Sequence, residues 1–250
     1  MRGGIHSGLL VLVNAEHPIR GAERPVLAPA LPGSEVLLDA RAAAMLTGLV
    51  SRLRAAGEIV PVSGWRSMRE QQEIWDSSLR ENGEDFTRKY VALPGCSEHQ
   101  TGLAIDLALR AEEIDFIRPA FPYDGVCGQF RALAADYGFI ERYEAGKERV
   151  TGIAAEPWHF RYVGRPHARL MRERGLCLEE YVELLRTFHY PGRLLEARGE
   201  AYEAEIGFAG ERSPAEVGFT MDARLTPDAP YQVSGNNVDG YIYTLWRKPA

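Results

Sequence analysis

The hydrophobic and polar positions of this chain switch repeatedly between helical and strand spacing, which predicts a mixed fold. Asp39 to Ala56 reads as a helix, with Asp39 as N-cap and Gly57 as its stop. Ile59-Val60-Pro61-Val62 reads as a short strand ended by Ser63-Gly64. Ser67-x-x-Glu70 is a capping-box pattern that opens a second helix, stopped by Gly83. Arg66 therefore lies just ahead of a helix N-terminus, and Gln71 near its first turn. From Gly102 to Leu109 the alternation is strict, with Leu103, Ile105, Leu107 and Leu109 on one face. Asp106 is the only large group on the other face, among Gly102, Ala104 and Ala108. A helix from about Val126 to Tyr137, stopped by Gly138, precedes a strand at Phe139 to Tyr143. Trp158, Phe160 and Tyr162 then alternate with His159, Arg161 and Val163, a strand with His159 opposite the aromatics. Leu178 to Phe188 reads as an amphipathic helix.

Around Tyr190-Pro191-Gly192 the texture changes. Alternating segments at Tyr202–Phe208, Val217–Leu225 and Tyr241–Trp246 are separated by Gly, Pro, Asn and Asp, and residues 235–240 read as a hairpin loop. The pattern predicts two domains. Residues 1–190 form an α+β domain, an antiparallel sheet with packed helices that carries the chemistry. Residues 191–250 form a small β-rich module of unknown role. The apolar run Leu9 to Val13 ends at Asn14, too short to span a membrane, and reads as a buried strand or packing segment. A cytoplasmic protein is the expectation.

Composition changes this picture little. With 250 residues and 45% hydrophobic content, one good core and a small second module are within reach. A net charge of -6 and the lack of a basic run argue against nucleic acid as partner. The three cysteines (Cys96, Cys127, Cys177) match neither a disulfide framework nor a Cys-x-x-Cys knuckle, and read as packed, reduced thiols.

The candidate chemistry sits in two stretches, Ser97-Glu98-His99-Gln100-Thr101-Gly102-Leu103-Ala104-Ile105-Asp106 and Glu156-Pro157-Trp158-His159. His99, Asp106 and His159 offer three ligands, which with an open fourth position is the arrangement of a catalytic zinc site. Glu156 is a further carboxylate, suited to act as general base toward an activated water. Taken alone, these residues leave blander readings open. Glu156 also fits a solvated loop, Arg66 a surface pair with Glu70, Gln71 a helix-surface amide and Ser97 a turn.

At these residues the chain resembles the D-alanyl-D-alanine carboxypeptidases of the vancomycin-resistance VanY and VanXY type. Their pattern is Ser-x-His-x-x-Gly-x-Ala-x-Asp followed far downstream by Glu-Pro-Trp-His, and every fixed position is matched here. Ser63-Gly64-Trp65-Arg66-Ser67, with Gln71 five residues after Arg66, is similar to a third motif of that family. The likeness runs from about Val13 to Phe188, and the region after about 195 lies outside it.

The resemblance implies one zinc ion per chain, held by His99, Asp106 and His159. It implies Glu156 as the base that passes its proton to the leaving amine. Arg66 is expected to face the carbonyl oxygen, an oxyanion role worth roughly 3 kcal/mol. Ser97, Gln71, Ser63 and Trp158 are expected on the substrate side. The implied substrate is a peptidoglycan-precursor peptide ending in D-Ala-D-Ala, cleaved to release D-alanine. Rival readings are a D,D-dipeptidase or bifunctional enzyme, an L,D-carboxypeptidase acting on tetrapeptide stems, and a non-catalytic wall-peptide binder. Relatives that also cleave the free dipeptide tend to have an acidic residue where this chain has Ser63. The ammonium of a free dipeptide is costly to bury unpaired. Carboxypeptidase action is therefore expected to exceed dipeptidase action, unless another acid such as Glu98 substitutes.

Overall fold

The computed structural model describes residues 4–21, 24–199, 202–212, 216 and 230–247. The chain packs as two compact units. One comprises Val13–Pro18 and Arg24–Cys177; the other is built from the described residues of 1–12, 19–23 and 178–250.

The larger unit begins with a two-stranded ribbon, β1 (Leu27–Pro29) and β2 (Leu37–Asp39), which leads directly into helix α1 (Ala40–Leu53). Asp39 caps α1 by accepting from the Arg41 N–H, as expected. The helix stops at Arg54 in the left-handed region, φ 55°, and not at Gly57. The Arg54 N–H bonds to the Ser51 and Val50 carbonyls, so the last turn closes before the glycine is reached. Strand β3 (Ile59–Ser63) is followed by α2 (Met68–Asn82) and α3 (Glu84–Tyr90). Ser67 and Glu70 form the expected capping box at the start of α2, and Gly83 ends it.

Next come β4 (Ala104–Leu109), α4 (Gly125–Ala134), β5 (Phe139–Glu141), the single turn α5 (Glu148–Thr151), β6 (His159–Tyr162) and α6 (Arg165–Arg174). Four of the strands form one antiparallel sheet in the order β3-β4-β6-β5. The α+β class with an antiparallel sheet and packed helices is thus what the structure shows. Pro61 lies on β3 at the sheet edge, where its missing N–H costs no ladder bond. On one side of the sheet Phe160 meets Phe121 and Phe130 edge-to-face, with ring centroids 5.4 and 5.0 Å away. That packing fixes β6 with Phe160 inward and His159 on the opposite side.

Register brings the chemistry together. Asp106 on β4 pairs with His159 on β6 and with Ser63 on β3, one residue from each of three adjacent strands. The β3 pairing slips between Pro61 and Ser63, an irregularity that sets Ser63, and not Val62, opposite Asp106.

The second unit holds α7 (Leu178–Leu185), β7 (Leu195–Gly199), β8 (Tyr202–Phe208), β9 (Tyr231–Gly235) and β10 (Tyr241–Arg247). Its strands form an antiparallel sheet in the order β7-β8-β10-β9, with residues 236–240 as the β9–β10 loop. The segment Val217–Leu225, read as alternating, lies outside the described residues. Residues 178–190 pack with this sheet, although the change of texture suggested a boundary near 190. Leu178, Tyr181, Val182 and Leu185 are the buried stripe of α7. The N-terminal run Leu9–Val13 is buried but makes no strand. It is held by the Leu10 N–H on Ser234 Oγ at 2.9 Å and the Leu12 N–H on the Asn236 carbonyl at 3.0 Å. No helix among the described residues is long and apolar enough to cross a membrane.

Gly64, just after β3, has no room for a side chain. A Cβ there would stand 2.2 Å from the Leu37 carbonyl oxygen and 2.8 Å from Val36 Cγ1. Gly64→Ala is expected to destabilise the protein by about 1–3 kcal/mol through overpacking. Urea unfolding checks this, and an unchanged midpoint would refute it.

Candidate active site

His99 lies in a 3₁₀ turn, Glu98–Thr101, closed by Gly102 at φ 73° immediately before β4. Its Nδ1 stands 2.8 Å from the Gly64 carbonyl, so that nitrogen carries the proton and Nε2 is left with a free lone pair. That Nε2 is 3.2 Å from Asp106 Oδ2, while Asp106 Oδ1 is 2.8 Å from His159 Nδ1. All three side chains are buried, and their ligand atoms lie within 4.8 Å of one another. Donors that each sit about 2.0–2.1 Å from a tetrahedral zinc stand about 3.3 Å apart. The donor set therefore fits a divalent metal of the zinc type.

Burial lowers His99 to about 4, so it is neutral and able to ligate at physiological pH. Burial alone would raise Asp106, but His99 and His159 outweigh it and hold the carboxyl ionised. For His159 burial opposes the charge, and Asp106 and Glu98 overcome it, raising the imidazole to about 9. Glu156 reaches the same cluster, with Oε2 3.9 Å from His159 Nδ1. Burial is the main cause that pushes its carboxyl up to about 8. A carboxyl with that proton affinity can take and return a proton near neutral pH.

These groups line a small cavity of about 70 Å³ that opens to solvent. Ser97 and Trp158 are in its wall, both buried. Tyr143 packs over His159 with ring centroids 5.0 Å apart. Phe116 and Ile117, from the loop between β4 and α4, supply an exposed apolar edge.

Arg66 is held in a cradle. Its Nε donates to Ser63 Oγ at 2.9 Å, Nη1 to Gln71 Oε1 at 3.2 Å and Nη2 to Asp106 Oδ2 at 3.2 Å. Gln71 is fully buried, and its amide nitrogen donates to the Ala92 carbonyl at 2.8 Å. Ser63 and Gln71 were expected on the substrate side. The structure instead turns both onto the guanidinium, and neither lines the cavity that holds the imidazoles. The reason is geometric: Ser63 stands opposite Asp106, and Gln71 faces inward from the first turn of α2.

Sequence reasoning missed the groups beneath His159. Glu98, Arg142 and Arg161 are fully or nearly fully buried. Arg142 Nε lies 2.8 Å and Arg161 Nη1 3.0 Å from Glu98 Oε1. Burial would raise the Glu98 carboxyl, but the two guanidiniums outweigh it and keep it far below the usual carboxylate range. Glu98 is therefore a buried carboxylate held by two arginines at the cavity's inner wall. The one available signal was Arg161, which shares the face of β6 with His159.

The fold and this constellation define a hydrolase of the peptidase class. The VanY family model, described as D-alanyl-D-alanine carboxypeptidase, matches residues 35–165. The bifunctional D-Ala-D-Ala dipeptidase and carboxypeptidase VanXYC of Enterococcus gallinarum is 42% identical over 180 residues, covering 70% of this chain and 94% of that one. The crystal structure of the vancomycin resistance D,D-dipeptidase VanXYg with a D-Ala-D-Ala phosphinate analog is similar at TM-score 0.89 and 44% identity, covering 98% of this chain and 96% of that one. A mutant of the D,D-pentapeptidase VanY with Zn(II) is similar at TM-score 0.59 and 33% identity, covering 70% and 98%. The chain belongs to the VanY family of D-alanyl-D-alanine carboxypeptidases.

Gln71→Ala removes one of the guanidinium's three hydrogen bonds. It is expected to lower peptidase turnover about tenfold, equivalent to about 1.4 kcal/mol. Steady-state kinetics check this, and turnover equal to that of the parent would refute a supporting role for Gln71.

Proposed function

We propose that this protein is a zinc-dependent D,D-carboxypeptidase that removes the terminal D-alanine from peptidoglycan-precursor peptides ending in D-Ala-D-Ala. The observation that carries the reading is the buried His99–Asp106–His159 donor cluster, with Glu156 and Arg66 reaching it from two sides. Zinc, when bound there, supplies a Lewis acid and brings its water toward deprotonation near pH 7.

The other steps belong to the chain's own side chains. Glu156 takes the proton of the attacking water and returns it to the departing amine nitrogen, so its charge is restored each cycle. Arg66 faces the oxygen of the scissile carbonyl and neutralises the charge that develops on it. Its cradle of Ser63, Gln71 and Asp106 fixes the guanidinium before substrate arrives. Ser97 and Trp158 form the wall against which the terminal D-alanine rests.

Preference for a longer peptide over the free dipeptide follows from charge. The acidic residues lining the cavity are Glu98, Asp106 and Glu156. Glu98 is engaged by two arginines, and the other two are assigned to metal and proton transfer. Among the described residues no lining carboxylate is spare for the ammonium of free D-Ala-D-Ala, whereas an amide at that place needs none. A bifunctional enzyme is the second reading, favoured by the likeness to the bifunctional VanXYC and, over nearly the whole chain, to the D,D-dipeptidase VanXYg.

D-alanine release from a UDP-linked muramyl pentapeptide, a tetrapeptide and free D-Ala-D-Ala, assayed in parallel, tests this. The expected outcome is release from the pentapeptide that exceeds release from the dipeptide, is lost with chelator and returns with zinc. Comparable dipeptide cleavage establishes the bifunctional reading. Cleavage of the tetrapeptide alone, or of none of the three, overturns the proposal. Glu156→Gln is expected to lower pentapeptide turnover by about 10²–10⁴-fold with the fold intact. Unchanged turnover would rule Glu156 out as the base.

A further inference from the structure

Directly behind the donor cluster lies a buried group of charges to which the reaction assigns no part. Glu98 has one oxygen, Oε1, fixed by Arg142 Nε at 2.8 Å and Arg161 Nη1 at 3.0 Å. Among the described residues, its other oxygen, Oε2, makes no hydrogen bond of normal geometry, and neither does His159 Nε2. These two buried atoms face each other at 3.5 Å. On the far edge of the same ring, His159 Nδ1 points at Asp106 Oδ1.

We propose that Glu98 is a positioning residue that keeps the His159 proton on Nε2, so that the lone pair of Nδ1 is the one presented to the metal. The inference rests on the metal reading given above. A neutral imidazole carries its proton on one nitrogen and a lone pair on the other, and the partner of one nitrogen decides which. An ionised carboxylate accepts only, so without a metal Asp106 and Glu98 each face a ring nitrogen that carries a proton; when Nδ1 gives up its proton to ligate, Glu98 keeps the one on Nε2. The two guanidiniums provide the counter-charge that lets a carboxylate stay ionised at this depth. They also hold its Oε1 in place. Arg161 comes from His159's own strand and Arg142 from the residue after β5, whose N–H donates to the His159 carbonyl at 3.1 Å. The carboxylate and the ring it orients thus share one backbone frame.

Glu98→Gln keeps the shape and reverses the instruction. With the amide oxygen toward the two arginines, its NH₂ group faces Nε2. That favours a proton on Nδ1, where it blocks ligation. Zinc affinity of parent and Glu98→Gln, measured on the full chain by competition with a chromophoric chelator, is expected to fall about 10–100-fold. Circular dichroism monitors the fold. Equal affinities overturn the proposal.

A second measurement needs no variant. Nitrogen-15 histidine spectra of the zinc-loaded parent are expected to show His159 protonated at Nε2 and bound through Nδ1. A proton on Nδ1 overturns the proposal even if Glu98→Gln does not fold. A parent that takes up no zinc overturns the metal reading itself, an outcome distinct from parent and variant binding zinc equally.

Discussion

The antiparallel pairing of β4 with β6, which sets Asp106 opposite His159, is the constraint on which the reaction centre depends. Side chains in a sheet alternate faces, so a one-residue slip would carry one partner to the other side. The aromatic packing of Phe160 against Phe121 and Phe130 guards that register, because the same slip would expose a large ring. The slip in β3 then sets Ser63 beside Asp106. From there the chain turns through Gly64, whose carbonyl holds His99, to Arg66. Three short segments therefore converge because one register is fixed.

A second condition is electrostatic. His99, His159, Asp106, Glu156 and Glu98 are buried together with Arg142 and Arg161, and Arg66 lies close beside them. Ionised groups so far from water are tolerated only when paired and hydrogen-bonded. The structure meets this with two sets of contacts. Arg66 is shared among Ser63, Gln71 and Asp106, and Glu98 is shared between Arg142 and Arg161. Glu156 is the exception, since burial raises its proton affinity. Such an imbalance is what proton transfer uses.

The cavity joins this polar floor to an apolar edge at Phe116 and Ile117. On the proposed reading, a peptide whose amides are uncharged enters there at little cost, whereas a free ammonium beside the scissile bond is costly to bury unless it is paired. On that reading, the balance between long peptides and the bare dipeptide turns on local charge inside one family, not on fold.

The sequence by itself determined the features written in local patterns: the capping box of α2, the alternation of β4 and β6, and the two motifs with His99, Asp106, His159 and Glu156. Caps and alternation need only neighbours along the chain, so they are readable without a fold. Resemblance to the VanY type supplied the expected roles, because spacing could not say that the motifs meet. Tertiary structure alone decided that α1 ends at Arg54, that Leu10 and Leu12 bond to residues of β9 and its loop, and that Ser63 and Gln71 face Arg66. It also decided that Glu98, a solvent-type residue by composition, is sealed between two arginines under His159. Such placements depend on partners distant in sequence, and a buried charge pair leaves no periodic trace along the chain.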